Sequence, residues 1–300
     1  MGNSESINNW LAAFLHDRKM QNFTDGTMQY YRVKMTTLQR YCAEEDLRVM
    51  ADFTPLTLRR FLEWLVERGH NPGGQLTAFK AVAAFLNWYE REAEPDNWKN
   101  PAGKVKAPRV AIEPIEPIPS KHIAKMEQAC GRDFPGLRDR AILLMLLDTG
   151  IRAAELAGLN IEDVNPVSGE VLIRSGKGRK PRTVFLGAKA RKALRSYLRE
   201  RTDSDPGLWV SFDTRERMTY MGLRWVPILR AREAGVPPVG LHAFRRQFAL
   251  SMLRNGTDLI TLSRLMGHAK LDVLRRYLAQ TDADLREAHA KASPVDNLDI

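Results

Sequence analysis

"GEVLIRSGKGRKPRTVFLG", residues 169–187, decides between two kinds of fold. Its Ser-Gly-Lys-Gly centre resembles a phosphate-binding loop, which would sit between a strand and a helix. That loop, however, needs Ser or Thr after its lysine and a helix next. Here Gly178 follows Lys177, and the chain continues into Arg182-Thr183-Val184-Phe185, a run with strand character. Two β-prone runs flanking a Gly-Lys-Gly turn predict an antiparallel hairpin instead. It is the one clear β feature in a chain that otherwise reads as helix, so the fold class is mainly α.

Upstream, apolar residues recur at helical intervals. Residues 5–19 are amphipathic, 24–45 carry Tyr30, Val33, Tyr41 and Cys42 along the repeat, Thr54 and Pro55 open 55–68, and 73–92 form a fourth helix. Six prolines in "EPDNWKNPAGKVKAPRVAIEPIEPIPS", residues 94–120, then forbid sustained helix and favour extended backbone. The expected organisation is a helical bundle over 1–105, a linker over 106–118 and a second domain over 119–300, with Ser120 as N-cap of its first helix. Beyond the hairpin the pattern predicts helices near 188–200, 218–234, 241–254 and 258–266. A last one, capped by Asp272, places Tyr277 on an apolar stripe with Val273, Leu274 and Leu278.

Three hundred residues at 44% hydrophobic content suffice for two cores. No apolar run approaches the roughly 20 residues that span a bilayer, and the N-terminal helix lacks the apolar core of a signal peptide. Two cysteines far apart, Cys42 and Cys130, support neither a disulfide framework nor a zinc site, and suggest a reducing, cytoplasmic setting. The 46 Lys and Arg against 36 Asp and Glu leave a formal charge of +10, which points to a polyanionic partner. Between Val171 and Arg201 the excess is concentrated, with Glu200 the one acidic residue among eleven basic ones.

Signatures of common hydrolases and metalloenzymes are missing from the sequence, so neither a metal nor a cofactor is expected. What remains is a set of cationic and hydrogen-bonding residues near predicted helix ends. Arg152 follows Gly150, a fitting terminator for the apolar helix before it, and Glu155 stands three residues on. His242 and Arg245 share a helical face. His268 follows Gly267, another fitting helix terminator. Cleavage of a phosphodiester by a tyrosine would need a nucleophile, cations on the non-bridging oxygens and an acid for the leaving oxygen. This chain supplies candidates for each. Arginine suits the oxygens because its planar fork keeps its charge, and a lysine crowded by cations can release a proton.

The order Thr149-Gly150-Ile151-Arg152-x-x-Glu155-Leu156, Gly176-Lys177-Gly178, His242-x-x-Arg245, Met266-Gly267-His268 and Tyr277 nine residues on resembles the tyrosine recombinase, or phage integrase, family. The resemblance spans about 119–285. It implies a helical, SAM-like core-binding bundle followed by the α-rich catalytic fold of that family with its small β hairpin. It further implies a site-specific recombinase that cuts and rejoins DNA through a 3′-phosphotyrosyl link, without metal or ATP. On this resemblance Tyr277 would be the nucleophile, Arg152 and Arg245 the phosphate clamp, and Lys177 the acid. His242 and His268 would assist proton transfer, and Glu155 would orient the site.

Arg174, Lys180 and Arg182 on the basic strip would bind DNA, the partner being duplex DNA gripped by a homotetramer on two synapsed sites, with no membrane involved. The chain departs from the family at Phe244, Arg246 and Val273-Leu274, where packing and DNA contacts rather than chemistry are touched. A type IB topoisomerase shares the chemistry. A catalytically silent DNA-bridging relative would share the resemblance but cut nothing. A regulator using residues 258–279 as a helix-turn-helix would leave Arg152, Lys177 and the His-x-x-Arg pair without a purpose.

Overall fold

A computed structural model describes residues 6–96, 98–111, 116–174, 181–267 and the isolated positions 286, 289, 290, 293, 295 and 296. The chain divides into two compact units, Met1–Ala111 and Ile112–Ile300, each with its own core.

The first unit is a bundle of α1 (Ile7–Met20), α2 (Asp25–Glu44), α3 (Pro55–Glu67) and α4 (Pro72–Ala93), with short 3-10 turns at Met50–Asp52 and Pro101–Lys104. Three of these helices begin alike. Thr24, Thr54 and Asn71 each accept the N–H three residues on, a cap that contributes about 1 kcal/mol. Pro55 and Pro72 occupy the first turn, where a missing N–H breaks no helical bond. The buried faces meet around Phe14, Leu38, Phe61, Val82 and Phe85. Phe14 stands edge-on to Phe85 and Trp88, at 5.6 and 5.5 Å between centroids, so the aromatic content adds quadrupole attraction to area burial.

The second unit contains α5 (Ser120–Gln128), α6 (Phe134–Thr149), α7 (Ala153–Gly158), the strands β1 (Glu170–Ile173) and β2 (Arg182–Phe185), and then α8 (Ala188–Arg199), α9 (Tyr220–Glu233), α10 (Leu241–Arg254) and α11 (Leu259–Met266). Helix α6 is the centre. Its Ile142, Leu143, Met145 and Leu146 are all buried, as befits a helix enclosed by neighbours rather than laid on a surface. Helices α8, α9 and α10 pack around it. Ser120 is not the cap expected of it. It is the first helical residue of α5, whose N-cap position is Pro119 with no side-chain capping bond, and the incoming chain is held two residues before Ser120 by the Ile118 N–H, which donates to Gln247 at 2.7 Å.

The hairpin pairs β1 antiparallel with β2, with Val171 opposite Val184 and Ile173 opposite Arg182. Val171, Ile173 and Val184 face inward while Leu172 and Phe185 are exposed, the in-and-out alternation of a half-buried sheet. Helix α9 runs through Pro227 without ending. One turn beyond, Arg230 donates two bonds to Asp139 of α6, at 2.9 and 2.8 Å, and Arg138 donates a third. This buried pair fastens α9 to the central helix close to where proline removes a backbone hydrogen bond.

Candidate active site

Two helix ends frame the site. Gly150 ends α6 at φ 56° and Gly267 ends α11 at φ 63°, a left-handed backbone that glycine adopts without steric cost. Space excludes a side chain as well. A Cβ on Gly150 would stand 2.3 Å from the Phe248 ring, and one on Gly267 would stand 2.9 Å from the Arg182 guanidinium.

Three arginines from three elements converge on the end of α11. Arg182 of β2 donates its Nε–H to the Leu265 carbonyl at 2.9 Å, Arg245 of α10 donates to the Met266 carbonyl at 2.7 Å, and Arg152 donates to the Gly267 carbonyl at 2.8 Å. Consecutive carbonyls at a helix C-terminus carry the negative pole of the helix dipole and lack helical partners. A cation placed there gains about 0.3–1 kcal/mol when exposed and up to about 2 kcal/mol when partly buried. Arg245 is the most enclosed of the three, 3% exposed, and its other terminal nitrogen donates to the Gly150 carbonyl, so one guanidinium ties both helix ends together.

Glu155 links two of these arginines. Arg152, the N-cap residue of α7, donates its backbone N–H to Oε2 at 3.0 Å and its Nη1 to Oε1 at 2.9 Å. Arg182 approaches the same carboxylate with both terminal nitrogens, at 2.9 and 2.8 Å. Burial pushes the Glu155 carboxyl up, but the Arg182 hydrogen bonds, the Arg152 N–H and the guanidinium charges outweigh it and hold the group at about 2.

Its folded value lies below the ordinary 4.5, so the stabilisation is fully present above about 4.5 and is lost as pH falls through about 2. Integrating that shift gives a loss of about 2 kcal/mol between pH 5.5 and pH 3. Urea unfolding at those two pH values should therefore show wild type losing about 2 kcal/mol more than Glu155→Gln. Equal acid sensitivity in the two proteins would mean that Glu155 is not held as the contacts indicate.

The structure thus brings Arg152, Glu155, Arg182 and Arg245 together. His242 lies exposed on the first turn of α10, one turn before Arg245. Arg174, just past β1, lies at the surface against Glu162 and Asp163. Lys177, Lys180, His268 and Tyr277 lie outside the described residues. Arg182, expected among the DNA contacts, directs all three side-chain nitrogens into the protein. A signal for this was present in the sequence. By the two-residue period of a strand, Arg182 shares its face with Val184, which the hairpin buries. Nothing local announces the carbonyls of α11.

Chemically, this is a set of guanidinium planes fixed by carbonyls and a carboxylate before any ligand arrives. Forks held in this way suit bidentate contact with phosphate oxygens and need no reorganisation as negative charge builds up.

Comparison with known proteins gives a consistent picture. The family model for the phage integrase family matches residues 117–284. The chain is 31% identical over 241 residues to the tyrosine recombinase XerA of Pyrococcus furiosus, covering 80% of this chain and 81% of that one. It is 29% identical over 290 residues to the tyrosine recombinase XerC of Oceanobacillus iheyensis, covering 92% and 93%. Among solved structures, a lambda integrase tetramer bound to a Holliday junction is similar in fold, with a TM-score of 0.72 at 15% identity over 88% of this chain and 78% of that one.

Proposed function

The chain belongs to the phage integrase family and is a site-specific tyrosine recombinase, and we propose that Tyr277 is its nucleophile and that Arg152 and Arg245 grip the phosphate it attacks. The Tyr277 Oη forms a bond to the scissile phosphorus as the bond from phosphorus to the 5′ oxygen breaks. The phenol proton passes to the His242 and His268 side of the site. Lys177 gives a proton to the departing 5′ oxygen. One phosphodiester is exchanged for another, so its energy is kept in the 3′-phosphotyrosyl link. Attack on that link by the 5′ hydroxyl of a second duplex reverses every step and completes strand exchange, with no nucleotide hydrolysed.

Convergence carries this reading. Arg152 and Arg245, far apart in sequence, donate to the adjacent Gly267 and Met266 carbonyls. The next residue along the chain is His268, and Tyr277 follows nine residues later. A helix-turn-helix regulator would have no use for the partly buried Arg182–Glu155–Arg152 arrangement.

Duplex DNA is the substrate. The basic strip, through Arg174 and Lys180, contributes phosphate contacts that set affinity and its salt dependence. By analogy with the lambda integrase tetramer, four copies act on two synapsed duplexes. The work is done in the cytoplasm, and no helix among the described residues is long and apolar enough to cross a membrane.

The test uses duplexes drawn from the DNA flanking this gene, nicked close to the candidate crossover so that a short fragment diffuses away and traps the cut. Incubated with the chain in EDTA, the right duplex should yield a covalent protein–DNA band on a denaturing gel. Specific binding with no such band would instead favour the regulator or a silent DNA-bridging relative.

A further inference from the structure

We propose that Arg182 is a positioning residue for the cleavage reaction, holding Arg152 in register through Glu155 and through the end of α11. The inference rests on the recombinase reading above and extends it to a side chain that touches no DNA.

Arg182 sits at the start of β2, opposite Ile173, on the inward face of the hairpin. Its side chain is 13% exposed, against 58% for Arg174 on the same hairpin. That difference in exposure separates a side chain held inside the site from one at the surface. Its two terminal nitrogens take one carboxylate oxygen each, in the fork-to-fork geometry that fixes a plane as well as a distance.

The carboxylate so held is the one that receives both the backbone N–H and the Nη1 of Arg152. The remaining Nε–H of Arg182 holds the Leu265 carbonyl, two residues before the Gly267 carbonyl that takes Arg152. Arg152 therefore has two anchors, Glu155 and Gly267, and Arg182 secures the carboxylate directly and the chain beside the carbonyl. Gly267 completes the fit, since any Cβ there would meet the Arg182 guanidinium.

Removing the fork leaves Arg152 and Glu155 paired but unfixed. A displacement on the order of 1 Å in a positioning contact can cost about 100-fold in rate. Arg182→Gln should therefore slow single-turnover adduct formation by roughly 10- to 100-fold at saturating enzyme. Its affinity for the same duplex, and the slope of that affinity against salt, should stay at the wild-type values. A direct phosphate contact would lower that slope by about one ion. Arg182→Lys, which keeps the charge without the fork, should fall between the two proteins and guards against a Gln variant that fails to fold.

The deciding readout replaces one non-bridging oxygen of the scissile phosphate by methyl in the duplex on which wild type forms its adduct. A neutral methylphosphonate makes little demand on a cationic clamp. If Arg182 acts through Arg152, the gap between wild type and the variants should shrink to within about 3-fold on that substrate, while general loosening would slow both substrates alike. A gap unchanged on the methylphosphonate overturns the positioning role, as do a wild-type rate in Arg182→Gln or a lowered salt slope. A wild type that gives no adduct on any duplex overturns the recombinase reading and this role with it.

Discussion

Tyr277→Phe should bind its duplex as tightly as the wild-type chain and form no covalent adduct, a loss on the order of 10⁴-fold or more in cleavage. The substitution removes one oxygen and keeps the ring. The sequence spacing predicts that Tyr277 shares an apolar stripe with Val273, Leu274 and Leu278; a phenyl ring would serve such packing as well as a phenol does, and the fold should survive. The DNA contacts proposed for the basic strip are untouched. Binding by gel shift and cleavage by denaturing gel, on one preparation, separate the two effects. An adduct in the variant at wild-type yield would move the nucleophile elsewhere, and loss of binding along with cleavage would give Tyr277 a structural duty instead.

Arg245→Lys is expected to damage cleavage less than Tyr277→Phe does, but unlike that variant it should also weaken the fold. The Arg245 guanidinium is 3% exposed and spans the Gly150 and Met266 carbonyls with its two terminal nitrogens. An ammonium keeps the charge but is a compact point that cannot span both in that geometry. One buried carbonyl then lacks its donor, at a cost of about 1–3 kcal/mol. Loss of the planar fork at the phosphate should cost about 100- to 1000-fold in single-turnover cleavage, the scale for deleting one preorganised donor. Urea midpoints read the first number and adduct kinetics the second. A lysine variant that cleaves at the wild-type rate would remove Arg245 from the clamp.

Much of the architecture was legible because it is written in short periods. The hairpin follows from alternation around Gly-Lys-Gly, α3 from Thr54-Pro55, and the ends of α6 and α11 from Gly150 and Gly267. What could not be read has no local period. The short α7 after Arg152 is too brief to show a repeat, and the bridges that join Asn160 to Gly207 and Val210 to Arg217 are set by tertiary packing. Pro227 inside α9 contradicts local preference and persists because its neighbours are buried and Arg230 is anchored on Asp139.

The site shows the same division. Residue types and their order singled out Arg152, Glu155, His242 and Arg245, but the place where Arg152 and Arg245 meet, a row of main-chain carbonyls, has no letter in the sequence. Arg182 was drawn into a run of surface charge because a one-dimensional tally does not distinguish the two faces of a strand.

The carbonyls of Leu265, Met266 and Gly267 have one more implication. An arginine that grips a peptide oxygen is indifferent to the side chain on that residue but depends on where the residue falls along the helix. The three grips together work like the teeth of a ratchet, counting residues rather than identifying them. Along this edge the chain is free to drift in composition, within the limits of core packing and of Gly267. It is not free to change its length, since one residue added or removed before His268 would shift the segment that carries the proposed nucleophile by a full tooth relative to the three arginines.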